Sequence, residues 1–209
     1  MVTTRTASEQ RVVLRNISWQ TFEIMLTDMG EDRVSRMTYD QGILEIMTPL
    51  LSHEHWNRLI ERLIFVIGEE LNLEIFPAGS TTFKREDLRR GAEPDSSYYI
   101  QNERLVRNKI EINLNNDPPP DLVVEVDLTS SSLDKFQISA SLGIPELWRY
   151  DEGVLQIYQL QEGQYLECNN SPTFARLPLT QIPQFLEESQ RIGVMGMTRN
   201  FRSWVRERI

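Results

Sequence analysis

The residues best suited to chemistry lie between Pro118 and Asp127, in the segment PPPDLVVEVD. Its apolar run carries Glu125 in a setting where a carboxylate is costly. A central strand that is apolar on both faces excludes charge unless the charge is paired or holds a metal. A second carboxylate, Asp95, follows Pro94 upstream, and Lys135 lies downstream of Glu125. Two carboxylates and a lysine around a divalent ion are the parts with which phosphodiester bonds can be hydrolysed.

Spacing decides which of these residues can act together. Side chains alternate along a strand, so Asp121, Val123, Glu125 and Asp127 share one face. Asp121 and Glu125 stand about 13 Å apart at roughly 3.3 Å per residue, too far to share an ion whose ligands lie about 2 Å from it. Asp121 therefore reads as structural, an edge or turn residue after Pro120. Glu125 needs a partner on another strand, and Asp95 begins the segment running toward Ile100. If those two strands pair at about 4.8 Å, both carboxylates can reach one Mg²⁺ (or Mn²⁺). Lys135 falls in the first turns of the helix that follows. Its ammonium can orient a water and balance charge on a pentacovalent phosphate, and its neutral amine could deprotonate the water. Asp127 reads equally as a strand-end acid or as a further ligand.

Each residue also has a plainer reading. Asp95 can be a turn or cap residue after Pro94, Glu125 can pair with an arginine, and Lys135 can be a surface lysine. The sequence His53-Glu54-His55 lacks the i, i+4 spacing that puts two histidines on one helix face. His53 reads as a cap-region residue; His55 is the one that could approach the site from the helix N-terminus. Trp148, Tyr150, Phe201 and Trp204 read as core. No Gly-rich phosphate loop and no G-x-S-x-G elbow occurs, and one cysteine with two histidines gives a nucleophilic triad little material.

The elements that position these groups follow from pattern. Residues 1–15 read as a loose arm and 16–209 as one domain. Ser18 caps a helix from Trp19 to about Met29. A hairpin follows: Arg36–Tyr39, a turn at Asp40-Gln41-Gly42, then Ile43–Met47. From His55 to Leu73, residues Trp56, Leu59, Ile60, Leu63, Ile64, Ile67 and Leu71 make one apolar stripe at helical spacing. Short strands are expected near 73–76, 80–83 and 96–100, then a polar connection over 102–119. The Glu125 strand spans 122–127. A helix is expected over 130–142, with Ser131 and Asp134 as a capping box and Gly143 as its stop. A meander turns at 151–153 and 161–163, and two further helices are expected near 182–189 and 199–209. Interleaved strands and helices make the class α/β (α+β) with a mixed sheet.

Composition bounds the function. The chain of 209 residues is long enough for one sizeable core, and 40% apolar with 25% charged residues is a globular composition. No apolar run reaches membrane-spanning length, the N-terminus lacks a signal-like apolar core, and Cys168 has no partner for a disulfide. A cytoplasmic place is expected. The net charge of −9 argues against general nucleic-acid affinity, yet Lys84 to Lys109 carries seven basic residues against five acidic ones. A solvated loop face explains that window as well.

The segments EPDSSYYI, PPPDLVVEVD and SSSLDKFQISASLGIPELWRYD carry a resemblance. The chain resembles the Uma-type family of proposed restriction endonucleases, within the PD-(D/E)XK nuclease superfamily, over about residues 17 to 205. The resemblance implies a restriction-endonuclease-like central sheet flanked by helices. It implies that Asp95 and Glu125 are metal ligands and that Lys135 is a catalytic lysine displaced into the following helix. Asp127 departs from the lysine of the superfamily triplet and could be a further ligand. Ser139 stands where many relatives carry tyrosine. The implied activity is Mg²⁺-dependent cleavage of DNA, and symmetric cutting of a duplex makes a homodimer plausible.

Two rival readings remain. A nuclease-fold protein that no longer cuts would serve as a binding or assembly module. A lysine at 135 pointing at the carboxylates favours the enzyme, and one in solvent favours the module. A carboxylate-pair glycosidase would need an open cleft and an aromatic sugar platform, which the sequence near Asp95 and Glu125 lacks.

Overall fold

The structure, a computed structural model, describes residues 10–30, 32–126, 131–175 and 177–209. The chain opens with β1 (Gln10–Arg15), α1 (Trp19–Met29), β2 (Arg36–Asp40), β3 (Ile43–Thr48) and α2 (Leu51–Leu71). Then come β4 (Phe76–Pro77), β5 (Phe83–Arg85), β6 (Arg90–Ala92), β7 (Ser96–Tyr99) and the one-turn α3 (Glu103–Val106). The second half holds β8 (Leu122–Val126), α4 (Lys135–Ser141), β9 (Glu146–Asp151), β10 (Val154–Gln161), β11 (Gln164–Cys168) and α5 (Ile182–Arg206).

The described strands form two sheets. The smaller has the order β1-β3-β2-β6-β5 and is antiparallel throughout. The larger has the order β11-β10-β9-β8-β7-β4. It is mixed, as the sequence led us to expect: β8 and β9 run parallel and its other neighbours antiparallel. A parallel pair requires a crossover, and α4 supplies it. Two-residue turns at Gln41-Gly42 and Glu152-Gly153 have positive φ at both positions, the hairpin geometry that matches strand twist.

β8 is buried along its whole length. On one face, Leu122, Val124 and Val126 join Trp148 and Tyr150 against Leu59, Ile60, Leu63, Ile64 and Ile67 of α2, with Phe185, Met197, Phe201 and Val205 of α5 completing the layer. On the other face, Val123 and Leu147 pack with Ile138 and Leu142 beside α4. Glu125 belongs by alternation to that second face. In the smaller sheet, Met37, Tyr39 and Leu44 receive Trp19 and Phe22 of α1. Arg202 and Arg206 of α5 bind Glu70 of α2 at 2.6 and 2.7 Å, fixing the two long helices together.

Several expectations shift. Residues Gln10–Arg15, read as part of a loose arm, pair with β3 from Gln10↔Thr48 to Arg15↔Ile43. α4 starts later than residue 130, because Asp134 rather than Ser131 caps it, accepting from the Gln137 N–H at 3.0 Å. The two C-terminal helices are two limbs of α5 that meet at Gly193, whose φ of 77° is non-helical. Among the described residues no helix is long and apolar enough to cross a membrane.

Trp148 is fully buried and donates its indole N–H to Glu146 at 2.6 Å. Replacing it with alanine should cost about 3–5 kcal/mol in urea unfolding, since both the packing and a partner of a buried carboxylate are lost. A loss below about 1 kcal/mol would contradict this core.

Candidate active site

The strands carrying the two acids pair. β7 and β8 are antiparallel with Ser96 opposite Val124 and Ser97 opposite Val123. The same register, continued one residue, sets Asp95 against Glu125. Opposed residues of an antiparallel pair have Cβ atoms about 5 Å apart and project to the same face. Both acids are buried, each 3% exposed. Two like charges so placed need cations, and two arrive from different elements.

The first cation is Lys135, the opening residue of α4. Its Nζ lies 2.7 Å from Glu125 Oε2, with the side chain 12% exposed. The second is Arg36 of β2, in the smaller sheet, whose guanidinium forms an ion pair with Asp95 Oδ1. Its other nitrogen lies 3.2 Å from Glu54 Oε2 in the first turn of α2. Burial lowers the Arg36 pKa from its ordinary value, while Glu125 and then Glu54 oppose that shift. The fields of the two carboxylates thus overlap on one guanidinium.

Asp95 is fixed from several sides. Its Oδ2 accepts from the Val126 N–H at 2.6 Å, and His53 Nε2 lies 3.2 Å from the same oxygen. Asn57 of α2 donates to the Asp95 carbonyl at 2.9 Å and accepts from Ser96 Oγ at 2.9 Å. The preceding Glu93 accepts from the Met37 N–H at 2.9 Å and pairs with Arg33. Helix α2 and strand β2 therefore hold the Asp95 turn between them.

Glu45 of β3 holds the other approach. It is 2% exposed and accepts from Arg11 at 3.0 Å, Ser131 Oγ at 2.9 Å, the Ser132 N–H at 2.9 Å and the Ser132 hydroxyl. Burial pushes this carboxyl up, but the bonds from Ser132 and Ser131 and the charge of Arg11 outweigh it, so its pKa lies below the ordinary glutamate value. Ser131 and Ser132 lead directly into α4, so Glu45 anchors the segment that delivers Lys135.

A cavity of about 380 Å³ opens outward from Arg36. Arg33, Ser35, Glu54, Arg58 and Ser80 are among its walls. Arg36 thus faces the carboxylates on one side and this cavity on the other.

Comparison with known proteins agrees with the sequence resemblance. The profile of the family Uma2, described as "Putative restriction endonuclease", matches residues 19–190. The chain belongs to the Uma2 family. A solved structure described as "a putative nuclease belonging to DUF820" from Anabaena variabilis is 16% identical, with a TM-score of 0.48, covering 90% of this chain and 99% of its own. No protein of curated function matches.

In this Uma2 chain, the structure brings Asp95, Glu125 and Lys135 together. Asp127 lies outside the described residues. Among the described residues no three His, Cys, Asp or Glu side chains gather around one point fit for a metal. Asp121 is structural: it accepts from the Ile100 and Asn102 N–H groups at 2.6 and 2.9 Å and so closes the turn before α3. Of the histidines, buried His53 reaches Asp95, whereas His55 is exposed. Arg36, His53 and Glu45 went unrecognised in the sequence. The one signal for Glu45 was a charge within a mostly apolar strand, Ile43–Thr48; Arg36 gave none.

Substituting Glu45 by glutamine should cost about 1–3 kcal/mol at neutral pH, since charged hydrogen bonds are lost. Because the folded pKa is depressed, that stability exists above the ordinary glutamate pKa and is lost as pH falls through the folded value. The gap between wild type and Glu45→Gln in urea unfolding should therefore shrink below about pH 4. A gap independent of pH would contradict a charged Glu45.

Proposed function

We propose that this chain is a divalent-metal-dependent endonuclease hydrolysing phosphodiester bonds in DNA. The observation that carries the reading is the buried Asp95–Glu125 pair on adjacent strands with Lys135 Nζ 2.7 Å from Glu125. A lysine aimed at the carboxylates, rather than into solvent, favours the enzyme over a binding module. Membership of a family described as restriction endonucleases supports the same reaction class.

The donor set fits Mg²⁺ or Mn²⁺. Hard cations of this kind take oxygen ligands, and Mg²⁺ is commonly held by one or two carboxylates with waters and substrate phosphate oxygens making up the rest. Asp95 and Glu125 would hold the ion, with Asp127 as a further candidate. When bound, the ion would stabilise negative charge on the phosphate and make a coordinated water more acidic. Lys135 would orient the attacking water and balance the charge of the transition state, with Glu125 fixing its ammonium. Val126 and Asn57 hold Asp95 in place, so this carboxylate is already oriented before an ion arrives.

DNA is the substrate class that the family description and the arginine-walled cavity favour. A chain of net charge −9 will bind it only through such a local patch, so association should be strongly salt-dependent. Cutting both strands of a duplex calls for two sites, which a homodimer would provide.

Cleavage of supercoiled plasmid in Mg²⁺ or Mn²⁺ tests the reading. Lys135→Met should lower the rate about 10²–10³-fold, the usual effect of deleting one group that stabilises transition-state charge. Asp95→Asn should abolish cutting. Wild-type rates in either variant would reject these roles. No cutting by the wild type in either ion would leave the binding module as the better reading.

A further inference from the structure

Arg36 occupies a contested position. Asp95 Oδ2 is already engaged by the Val126 N–H at 2.6 Å and has His53 at 3.2 Å. Oδ1, clasped by Arg36, is therefore the oxygen that an incoming cation must share or take. A divalent ion and a guanidinium cannot both sit close to one oxygen without strong mutual repulsion. Arg36 has somewhere else to go. Its second nitrogen already reaches outward to Glu54, whose side chain is 35% exposed, and both residues line the cavity.

Charge balance points the same way. Asp95, Glu125 and Glu54 are balanced by Arg36, Lys135 and Arg58, which lies 2.7 Å from Glu54. A divalent ion adds two positive charges to this balanced cluster, which anionic phosphates would offset. Guanidinium groups bind phosphate oxygens through a planar fork, a geometry that lysine lacks.

We propose that Arg36 is an exchangeable counter-ion: it neutralises Asp95, competes with a divalent cation for Oδ1, and, once displaced, turns into the cavity to hold a phosphate of the nucleic acid. This rests on the divalent site proposed above. It deepens that reading by adding a residue from a different sheet whose effects on metal and on DNA have opposite signs. Metal loading and substrate binding are then coupled through one side chain, so each favours the other.

Opposite signs make the test decisive, because a merely structural arginine would weaken both bindings when removed. Mn²⁺ affinity is measured by calorimetry on the wild type, Arg36→Gln and Arg36→Lys. Affinity for a short DNA duplex with Mn²⁺ is measured in the Lys135→Met background, which is expected to cut about 10²–10³-fold more slowly than the wild type and so to leave the duplex intact over the titration. Arg36→Gln should bind Mn²⁺ about tenfold more tightly, as expected for removing one nearby cation from a partly solvated site. The same change should weaken duplex binding about tenfold, the scale of one charge-assisted contact. Arg36→Lys keeps the charge and guards against misfolding. It should hold Mn²⁺ within about threefold of wild type while still weakening the duplex, because a point charge replaces the fork.

Wild-type binding with equal or weaker Mn²⁺ affinity in Arg36→Gln would overturn the exchange and leave the divalent site standing. Unchanged duplex binding in both variants would overturn the phosphate role. Absence of saturable Mn²⁺ binding by the wild type would overturn the divalent site and the exchange with it.

Discussion

Two carboxylates buried side by side are the constraint around which this fold is arranged. Asp95 and Glu125, 3% exposed each, stand on neighbouring strands where their repulsion is poorly screened. Neither strand supplies the compensating charge. Lys135 comes from the crossover helix and Arg36 from the smaller sheet. The site thus requires both sheets and α4 to be in place at once. Losing one partner of such a pair leaves an uncompensated buried charge, which costs about 3–5 kcal/mol. A protein tolerates that exposure to mutation where the charges serve chemistry, and perturbed, paired ionisable groups are concentrated at such places.

The supporting polar groups show how the arrangement is kept. Glu93, Asn57 and Val126 hold the Asp95 turn, and Glu45 holds the serines ahead of Lys135. Each of these bonds joins elements distant in sequence. Buried polar groups of this kind are stable only when fully satisfied, which fixes a single geometry. The apolar layers below do the complementary work. Val124 and Val126 anchor β8 against α2 while Glu125, between them, faces the other way. The result is an acidic chain with a small opening beside the carboxylates that Arg33, Arg36 and Arg58 line.

What the sequence revealed was local. The apolar run 122–126, the stripe from Trp56 to Leu71 and the X-Gly hairpin turns each state their structure within a few residues. Glu125 was visible because a charge inside such a run is rare, and Asp95 because it follows a proline at the mouth of a strand. Arg36 was not visible. It lies on an alternating hairpin strand where an arginine is ordinary, and only the packing of the two sheets turns it toward Asp95. His53 was passed over in favour of the second histidine for a similar reason: which of two neighbours faces inward depends on where the α2 axis lies, and the helix begins at Leu51 rather than His55. β1 was misread as an arm because Val12 is exposed and the strand owes its form to pairing with β3. The C-terminal helix was divided over 190–198, where the chain kinks at Gly193 and resumes.

The most direct measurement is anomalous diffraction from crystals of this protein soaked in millimolar Mn²⁺. A Mn²⁺ peak beside Asp95 and Glu125, with the Arg36 guanidinium withdrawn from Asp95 Oδ1, is the expected result. Well-ordered carboxylates still clasped by Arg36 and Lys135, with no peak between them, would contradict a divalent site at this pair.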